Sequence, residues 1–199
     1  AGSSGIRIRI GTRRVTNWGD ETDLAVAFNE QVLIGRVKAG ELKPGAQILL
    51  ESMWREHRDP KIVASYSQTV ESLKSAGFRV YECAFEKECR ALVSDPRKGK
   101  NMFVLGVLCS IYSFDPKLGR EQVRLTFGKK EAKVVEVNQG LFDAGYAWAE
   151  QNLDFRYRRP ATRSTEPQIV VNGNTALALG VLASGMDICA MYPITPATS

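Results

Sequence analysis

Histidine is almost missing from this chain: one residue, His57, in 199. A histidine-centred metal site or a histidine-paired nucleophile therefore has only one possible position, and no partner for His57 can be named nearby. A surface histidine is the plainer reading of the polar stretch Trp54–Pro60. Cysteine is also scarce. Cys83, Cys89, Cys109 and Cys189 are dispersed, and no C-x-x-C spacing occurs, so neither a zinc site nor an iron–sulfur cluster is expected within the chain. Four scattered cysteines in a chain of this size read as buried thiols of a reducing, cytoplasmic compartment. No apolar run approaches the length of a membrane span, and no signal peptide opens the sequence, so no membrane partner is expected. No G-x-G-x-x-G follows any strand candidate, which removes support for a dinucleotide site. The chain begins at Ala1 rather than methionine and ends at Ser199 within a structured-looking segment, and it reads as an internal piece of something longer.

What is present is ordinary globular material, 44% hydrophobic and 25% charged, so a packed core is expected. The net charge is +5, but the basic residues are scattered and only Arg156–Arg159 cluster, which reads as a solvated linker rather than a nucleic-acid surface. Ala1 to Gly5 is small and flexible. It suits a turn or ragged end, or an anion cradle without a phosphate-binding motif. Ile6, Ile8 and Ile10 alternate with Arg7 and Arg9, the period of a strand with one buried face. Strand, helix, turn and strand are then expected over Asp23–Asn29, Gln31–Lys38, Leu42–Gly45 and Ala46–Leu50, the order of an α/β layer fold. A helix over Ile62–Ala76 closed by Gly77, a strand over Phe78–Cys83 and a short helix over Phe85–Val93 extend it.

Asn101–Ser113 has Met102, Leu105, Leu108 and Cys109 on one helical face, widened by Val104 and Val107, and reads as a core helix. Gly106 in its middle costs about 1 kcal/mol of helix propensity and implies close packing. Helices are also expected over Glu121–Phe127 and Lys129–Gln151. The second carries the stripe Val134, Val137, Leu141, Ala144, Gly145 and Trp148. Asn101 and Asn138 read as helix-end or core hydrogen-bonding residues. Asn152–Pro167 is rich in Arg, Pro, Thr and Ser without apolar periodicity, and reads as a linker.

Beyond it, Ile169–Val171 reads as a strand, Asn172-Gly173-Asn174 as a turn, and Ala176 to Gly185 as a small-residue helix capped by Thr175 or Asn174. Ile188–Met191 is a second short strand candidate. Tyr192-Pro193-Ile194-Thr195-Pro196 follows. Each proline biases the residue before it toward extended geometry, so Tyr192 and Thr195 are both held extended beside the free N–H groups of Ile194 and Thr195. From the residues alone, this is either a rigid strand-to-helix connection or a stiff loop presenting one hydroxyl to a ligand.

GNTALALG followed by YPITPATS resembles the start of the alpha part of the 2-oxoacid:ferredoxin oxidoreductases. TDLAVAFNEQVL…LKPGAQILLES, NMFVLGVLCSIY and KVVEVNQGLFDAGY resemble their gamma part. The resemblance implies a layered α/β/α gamma-type domain over residues 1–151 lacking its N-terminal glycine-rich stretch, and a linker over 152–167. Residues 168–199 are then the first strand–helix–strand of a thiamine diphosphate pyrimidine-binding domain. A gamma part joined to an alpha part is similar to the fused subunit of a 2-oxoglutarate-type enzyme. The implied activity is oxidative decarboxylation of 2-oxoglutarate or a related 2-oxoacid with coenzyme A, or its reductive reverse. Pyruvate or branched-chain or aryl 2-oxoacids are the alternatives, as is a non-catalytic docking role for the gamma part. By the same resemblance, Thr195 reaches the substrate carboxylate, and Tyr192, Pro193 and Ile194 line the site. Thiamine diphosphate is shared with a beta subunit that carries magnesium and a [4Fe-4S] cluster, and the activating glutamate lies beyond Ser199. The expected assembly is a dimer of heterodimers passing electrons to ferredoxin.

Overall fold

A computed structural model describes residues 5–12, 15, 17–158, 169, 171–188, 190 and 192. The chain divides into two compact units, Ala1–Pro160 and Ala161–Ser199. The first is an α/β layer structure on a parallel sheet of three strands in the order β1 (Thr22–Ala27), β2 (Leu42–Glu51) and β3 (Arg79–Cys83). Right-handed crossovers are the norm for such parallel neighbours. They pass through helix α1 (Glu30–Lys38) and helix α2 (Pro60–Ser75). Helices α3 (Phe85–Arg90), α4 (Lys100–Ile111), α5 (Pro116–Phe127) and α6 (Ala132–Asn152) follow the last strand.

The central strand explains the layering. Ile48, Leu49 and Leu50 have no exposed surface, and successive side chains of a strand point to opposite faces. Ile48 and Leu50 join Leu33, Tyr66, Val70 and Leu73 from α1 and α2. Leu49 joins Phe85, Phe103, Val107, Ile111 and Leu141 from α3, α4 and α6. Burying each such aliphatic side chain contributes about 1.5–3 kcal/mol, so β2 is the spine of both cores. The expected turn at Leu42–Gly45 lies inside β2 instead, as an irregularity in its ladder. Thr22 pairs with Leu42 but Leu24 pairs with Gln47, so β2 absorbs extra residues around Pro44 and Gly45. Gly45 takes φ +74°, and proline donates no ladder hydrogen bond, so both residue types suit that bulge.

Residues 5–10 do not form the expected strand. They carry no ladder, and Ile6 is 86% exposed. The alternation was legible, but the buried face it needs is absent: no neighbouring strand of the described residues pairs with it. Arg7 instead donates to Glu41 and to the Gly19 carbonyl.

The α4–α6 contact is the tightest in the unit. A Cβ added at Gly106 would lie 2.0 Å from the Phe142 carbonyl oxygen, and one added at Gly145 would lie 1.9 Å from that of Phe103. The two helices meet backbone to backbone through these glycines. The buried face of α4 is accordingly wider than its sequence pattern: Phe103, Val104, Gly106, Val107, Cys109, Ser110 and Ile111 are buried, while Met102, Leu105 and Leu108 are only partly so.

After α6 the chain does not leave the unit at once. Leu153 is buried, Tyr157 donates its backbone N–H to the Ile111 carbonyl at 2.7 Å, and its hydroxyl donates to the Asp23 carbonyl at 3.1 Å. Tyr81 donates to Asp154 at 2.5 Å. Residues 153–157 thus strap the far end of α4 to β1 and β3.

In the second unit, helix α7 (Gly173–Ala183) begins earlier than expected, inside the expected turn, because its cap is Asn172, whose side chain accepts from the Thr175 N–H at 2.8 Å. Gly185 follows at φ +83°, the left-handed geometry that ends helices. Ile169 and Val171, expected in a strand, carry no ladder. Leu177 and Leu182 on α7 are exposed.

Candidate functional site

All three strands run parallel, so their carboxyl ends lie at one edge, where open α/β sheets bind ligands. The chemistry-bearing side chains of the first unit gather there. Glu51 ends β2 and has no exposed surface. Its alternation with Leu49 turns it to the α4 face, where Lys100 opens the helix. The Glu51 carboxylate accepts from the Met53 N–H at 3.2 Å and from the Glu86 N–H at 3.1 Å. The Lys100 ammonium lies 3.7 Å from Glu51 and 3.4 Å from Glu86. It also sits over the Phe28 ring, 5.4 Å from the centroid. Arg90 donates to Glu86 at 2.8 Å.

These surroundings set the protonation states apart. Burial raises the Glu51 carboxyl above its ordinary value, and Lys100 and the two N–H donors only partly oppose it. The Arg90 hydrogen bond, with Lys100 behind it, holds Glu86 below the usual carboxylate range. Burial pushes the nearby Cys83 thiol up to about 12 and the Cys89 thiol up to about 11. Both therefore stay protonated near neutrality and are unsuited to act as nucleophiles or soft metal ligands. Among the described residues no cluster of three or more His, Cys, Asp or Glu side chains is arranged to hold a metal. His57 is exposed, and its Nδ1 accepts from the Asp59 N–H.

A second feature is built from the segments that follow β1 and β2 in the chain. The first turns of α1 and α2, with Trp54, line a cleft of about 230 Å³. Glu30 forms part of its wall.

Of the expected site residues, Tyr192 is exposed. Pro193, Ile194 and Thr195 lie outside the described residues, as do Ala1–Ser4, Arg159, Cys189 and most of the expected linker. Asn138 donates to the Val134 carbonyl within its own helix, a structural role. Glu30, Glu51, Glu86 and Lys100 were not singled out in the sequence. For Glu51 a signal existed: a charged residue directly continuing the apolar run Ile48–Leu50 must end a buried strand at its carboxyl edge.

Residues 1–148 match the model of the pyruvate ferredoxin/flavodoxin oxidoreductase family, and the chain belongs to that family. Among its relatives it is similar to the 2-oxoglutarate oxidoreductase subunit KorA of Mycobacterium tuberculosis. The two are 27% identical over 212 residues, which cover 99% of this chain and 32% of that protein. It is 28% identical over 137 residues to the ketoisovalerate oxidoreductase subunit VorA of Methanothermobacter marburgensis, which cover 68% of this chain and 24% of that one. A solved 2-oxoglutarate:ferredoxin oxidoreductase from Magnetococcus marinus, with 2-oxoglutarate, coenzyme A and succinyl-CoA bound, superposes with a TM-score of 0.66 at 25% identity. That match covers 94% of this chain and 30% of the solved one. The chain thus spans about a third or less of the length of the relatives it matches. The α/β fold with its small parallel sheet agrees with this neighbour. No helix among the described residues is long and apolar enough to cross a membrane.

Proposed function

We propose that this chain is the gamma–alpha junction of a thiamine-diphosphate-dependent 2-oxoacid:ferredoxin oxidoreductase that forms acyl-CoA and carbon dioxide from 2-oxoglutarate, or runs the reverse reaction. The observation that carries this reading is the order of parts: a family-matching α/β unit over residues 1–148, then an Asn172-capped small-residue helix and YPITP. The relatives with 2-oxoglutarate in their names support that substrate over a branched-chain one, because the match to KorA extends across nearly the whole chain while that to VorA does not.

The cofactor, when bound, supplies the electron sink for decarboxylation. This chain's residues would bind and orient. Tyr192, Pro193 and Ile194 wall the site, and the Thr195 hydroxyl donates to the substrate carboxylate from a loop whose prolines reduce the entropy cost of ordering it. Gly180 of α7 leaves open space where a side chain would stand, which suits close approach of a neighbour or cofactor. Magnesium and a [4Fe-4S] cluster belong to a partner beta subunit in this reading, ferredoxin is the electron acceptor, the assembly is a dimer of heterodimers, and the compartment is the cytoplasm.

The test is Thr195→Ala in the assembled enzyme, assayed by coenzyme-A-dependent reduction of ferredoxin with 2-oxoglutarate, pyruvate and 2-oxoisovalerate in parallel. Turnover should fall about 100- to 1,000-fold with the folded fraction unchanged, as for loss of one preorganised donor. Unchanged turnover removes Thr195 from the site, and preference for another 2-oxoacid replaces the substrate.

A further inference from the structure

One buried carboxylate joins two segments that leave the sheet at its carboxyl edge. Glu51 accepts from the Met53 N–H, in the 3₁₀ turn Met53–Glu56 after β2, and from the Glu86 N–H, in the first turn of α3. The α3 cap residue, Ala84, makes no side-chain bond, so Glu51 caps that helix from another strand. The two segments differ in what else holds them. Phe85 and Cys89 anchor α3 in the core. The turn Met53–Glu56 has no buried residue. Besides Glu51 it is tied by the Arg55–Glu82 ion pair at 2.6 Å and by the Trp54 indole, which donates to the Phe28 carbonyl at 3.3 Å, both at the surface. Ser52 donates its N–H to the Cys83 carbonyl at 2.9 Å and is the last residue bonded to the sheet before the turn. So α3 is the fixed side of the Glu51 contact and the turn is the movable side. Few buried contacts and exposed hydrogen bonds mark a segment that opens locally at low cost. The turn also carries Trp54, a wall of the cleft at the first turns of α1 and α2.

The charge on Glu51 decides whether opening is favourable. In the closed form its side chain has no exposed surface. The groups facing it are the Lys100 ammonium of α4 at 3.7 Å, Glu86 and the Cys89 thiol of α3, and the Cys83 thiol of β3. Lys100 also serves Glu86 at 3.4 Å, so one ammonium answers two carboxylates. A protonated Glu51 loses little by burial, whereas an ionised one recovers its hydration when the turn swings out. We propose that Glu51 is a proton-operated clasp: protonated, it keeps the Met53–Glu56 turn closed, and on ionising it releases the turn and with it the Trp54 wall of the cleft. The device opens toward neutral pH. The closed form binds the proton more tightly than the open one, so closing is fully favoured below the ordinary carboxyl value. That advantage is lost as pH rises to the raised value of the closed form.

The test is hydrogen exchange of the full-length chain from pH 4.5 to pH 8, read on the peptide covering residues 52–58 and corrected for the intrinsic exchange rate at each pH. Protection of that peptide should fall as pH rises, by up to about tenfold per pH unit, and level off once Glu51 is ionised in the closed form. The first turn of α1 is the control, because its cap Asn29 is a neutral amide that holds the Gln31 N–H at 2.7 Å. Glu51→Gln cannot ionise and should remove the slope. Lys100→Met takes away the cation facing Glu51 and should lower protection at pH 8 below the wild-type value by about tenfold. A flat wild-type profile, an equal fall in the α1 control, an unchanged slope in a folded Glu51→Gln variant, or wild-type protection at pH 8 in a folded Lys100→Met variant overturns the clasp. The wild-type profile and its α1 control need no variant, so the test stands even where both substitutions fail to fold.

Discussion

Replacing Gly106 by alanine tests whether the first unit is held by a backbone-to-backbone helix crossing. The added methyl would lie 2.0 Å from the Phe142 carbonyl oxygen and 2.8 Å from the Tyr146 nitrogen. Both obstacles are backbone, so no rotamer change relieves them, and ordinary carbon contacts need about 3.5–4.0 Å. The α4 and α6 axes must part by more than an ångström, loosening the packing around Phe103, Val107 and Leu141. Overpacking of this kind costs about 1–3 kcal/mol, occasionally more. Alanine returns about 1 kcal/mol of helix propensity. With no flexible side chain to yield, the upper end of the cost applies, and the net loss should be about 2 kcal/mol. For a chain of this size that lowers the Tm by roughly 4–8 °C. Gly140→Ala in α6 is the internal control, because a Cβ there meets nothing within 4 Å. It should gain up to about 1 kcal/mol from propensity alone. Denaturant titration of both variants and of Gly106→Ala/Gly145→Ala completes the assay. One separation of the helices accommodates both methyls, so the double variant should lose less than the sum of the singles. A Gly106→Ala variant as stable as Gly140→Ala would refute the close crossing.

The buried carboxylate and the buried thiols give two further predictions. Folding raises the Glu51 pKa, so its contribution to stability is fully present below the unfolded value and is lost as pH rises through the folded one. The stability of Glu51→Gln relative to wild type should therefore improve from pH 4 to pH 7.5, measured by denaturant midpoints; a difference that worsens with pH contradicts the burial account. Glu86 has the opposite sign, since its lowered pKa contributes stability above the unfolded value that is lost on acidification. Cys83 and Cys89 have no exposed surface and thiols raised to about 12 and about 11, so iodoacetamide at pH 8 should leave both unmodified by mass spectrometry until denaturant is added. Rapid native labelling of either would contradict their burial.

The elements that were legible in the sequence are those whose pattern was dictated by two cores at once. Ile48–Leu50 could only be a strand covered on both faces, and Tyr66, Val70 and Leu73 could only face one of them. Ile6, Ile8 and Ile10 had an equally clear period, yet period alone does not supply the partner strand that would bury one face. On α4 the pattern located the helix but not its buried side. When Gly106 lets a second helix approach to backbone contact, nearly every side chain becomes interior, and amphipathic spacing stops being informative. The strap at residues 153–157 was hidden for a related reason. Its Arg-rich composition is that of a linker, but Leu153, Phe155 and Tyr157 use the aromatic surface of Tyr81 and Tyr112, which only tertiary structure brings together.

The same contrast separates the two candidate sites. YPITP announces itself in the sequence because two prolines restrict the chain whatever surrounds it. Glu30 and Glu51 announce nothing, because their chemistry comes from where parallel strands end. Each is a glutamate at the carboxyl edge of the sheet, both are buried, and they differ in one respect. Glu51 is answered by two N–H groups and Lys100, whereas Glu30 Oε2 is answered by none. The partnered glutamate is accounted for by the fold itself, which supplies its donors where the strand ends.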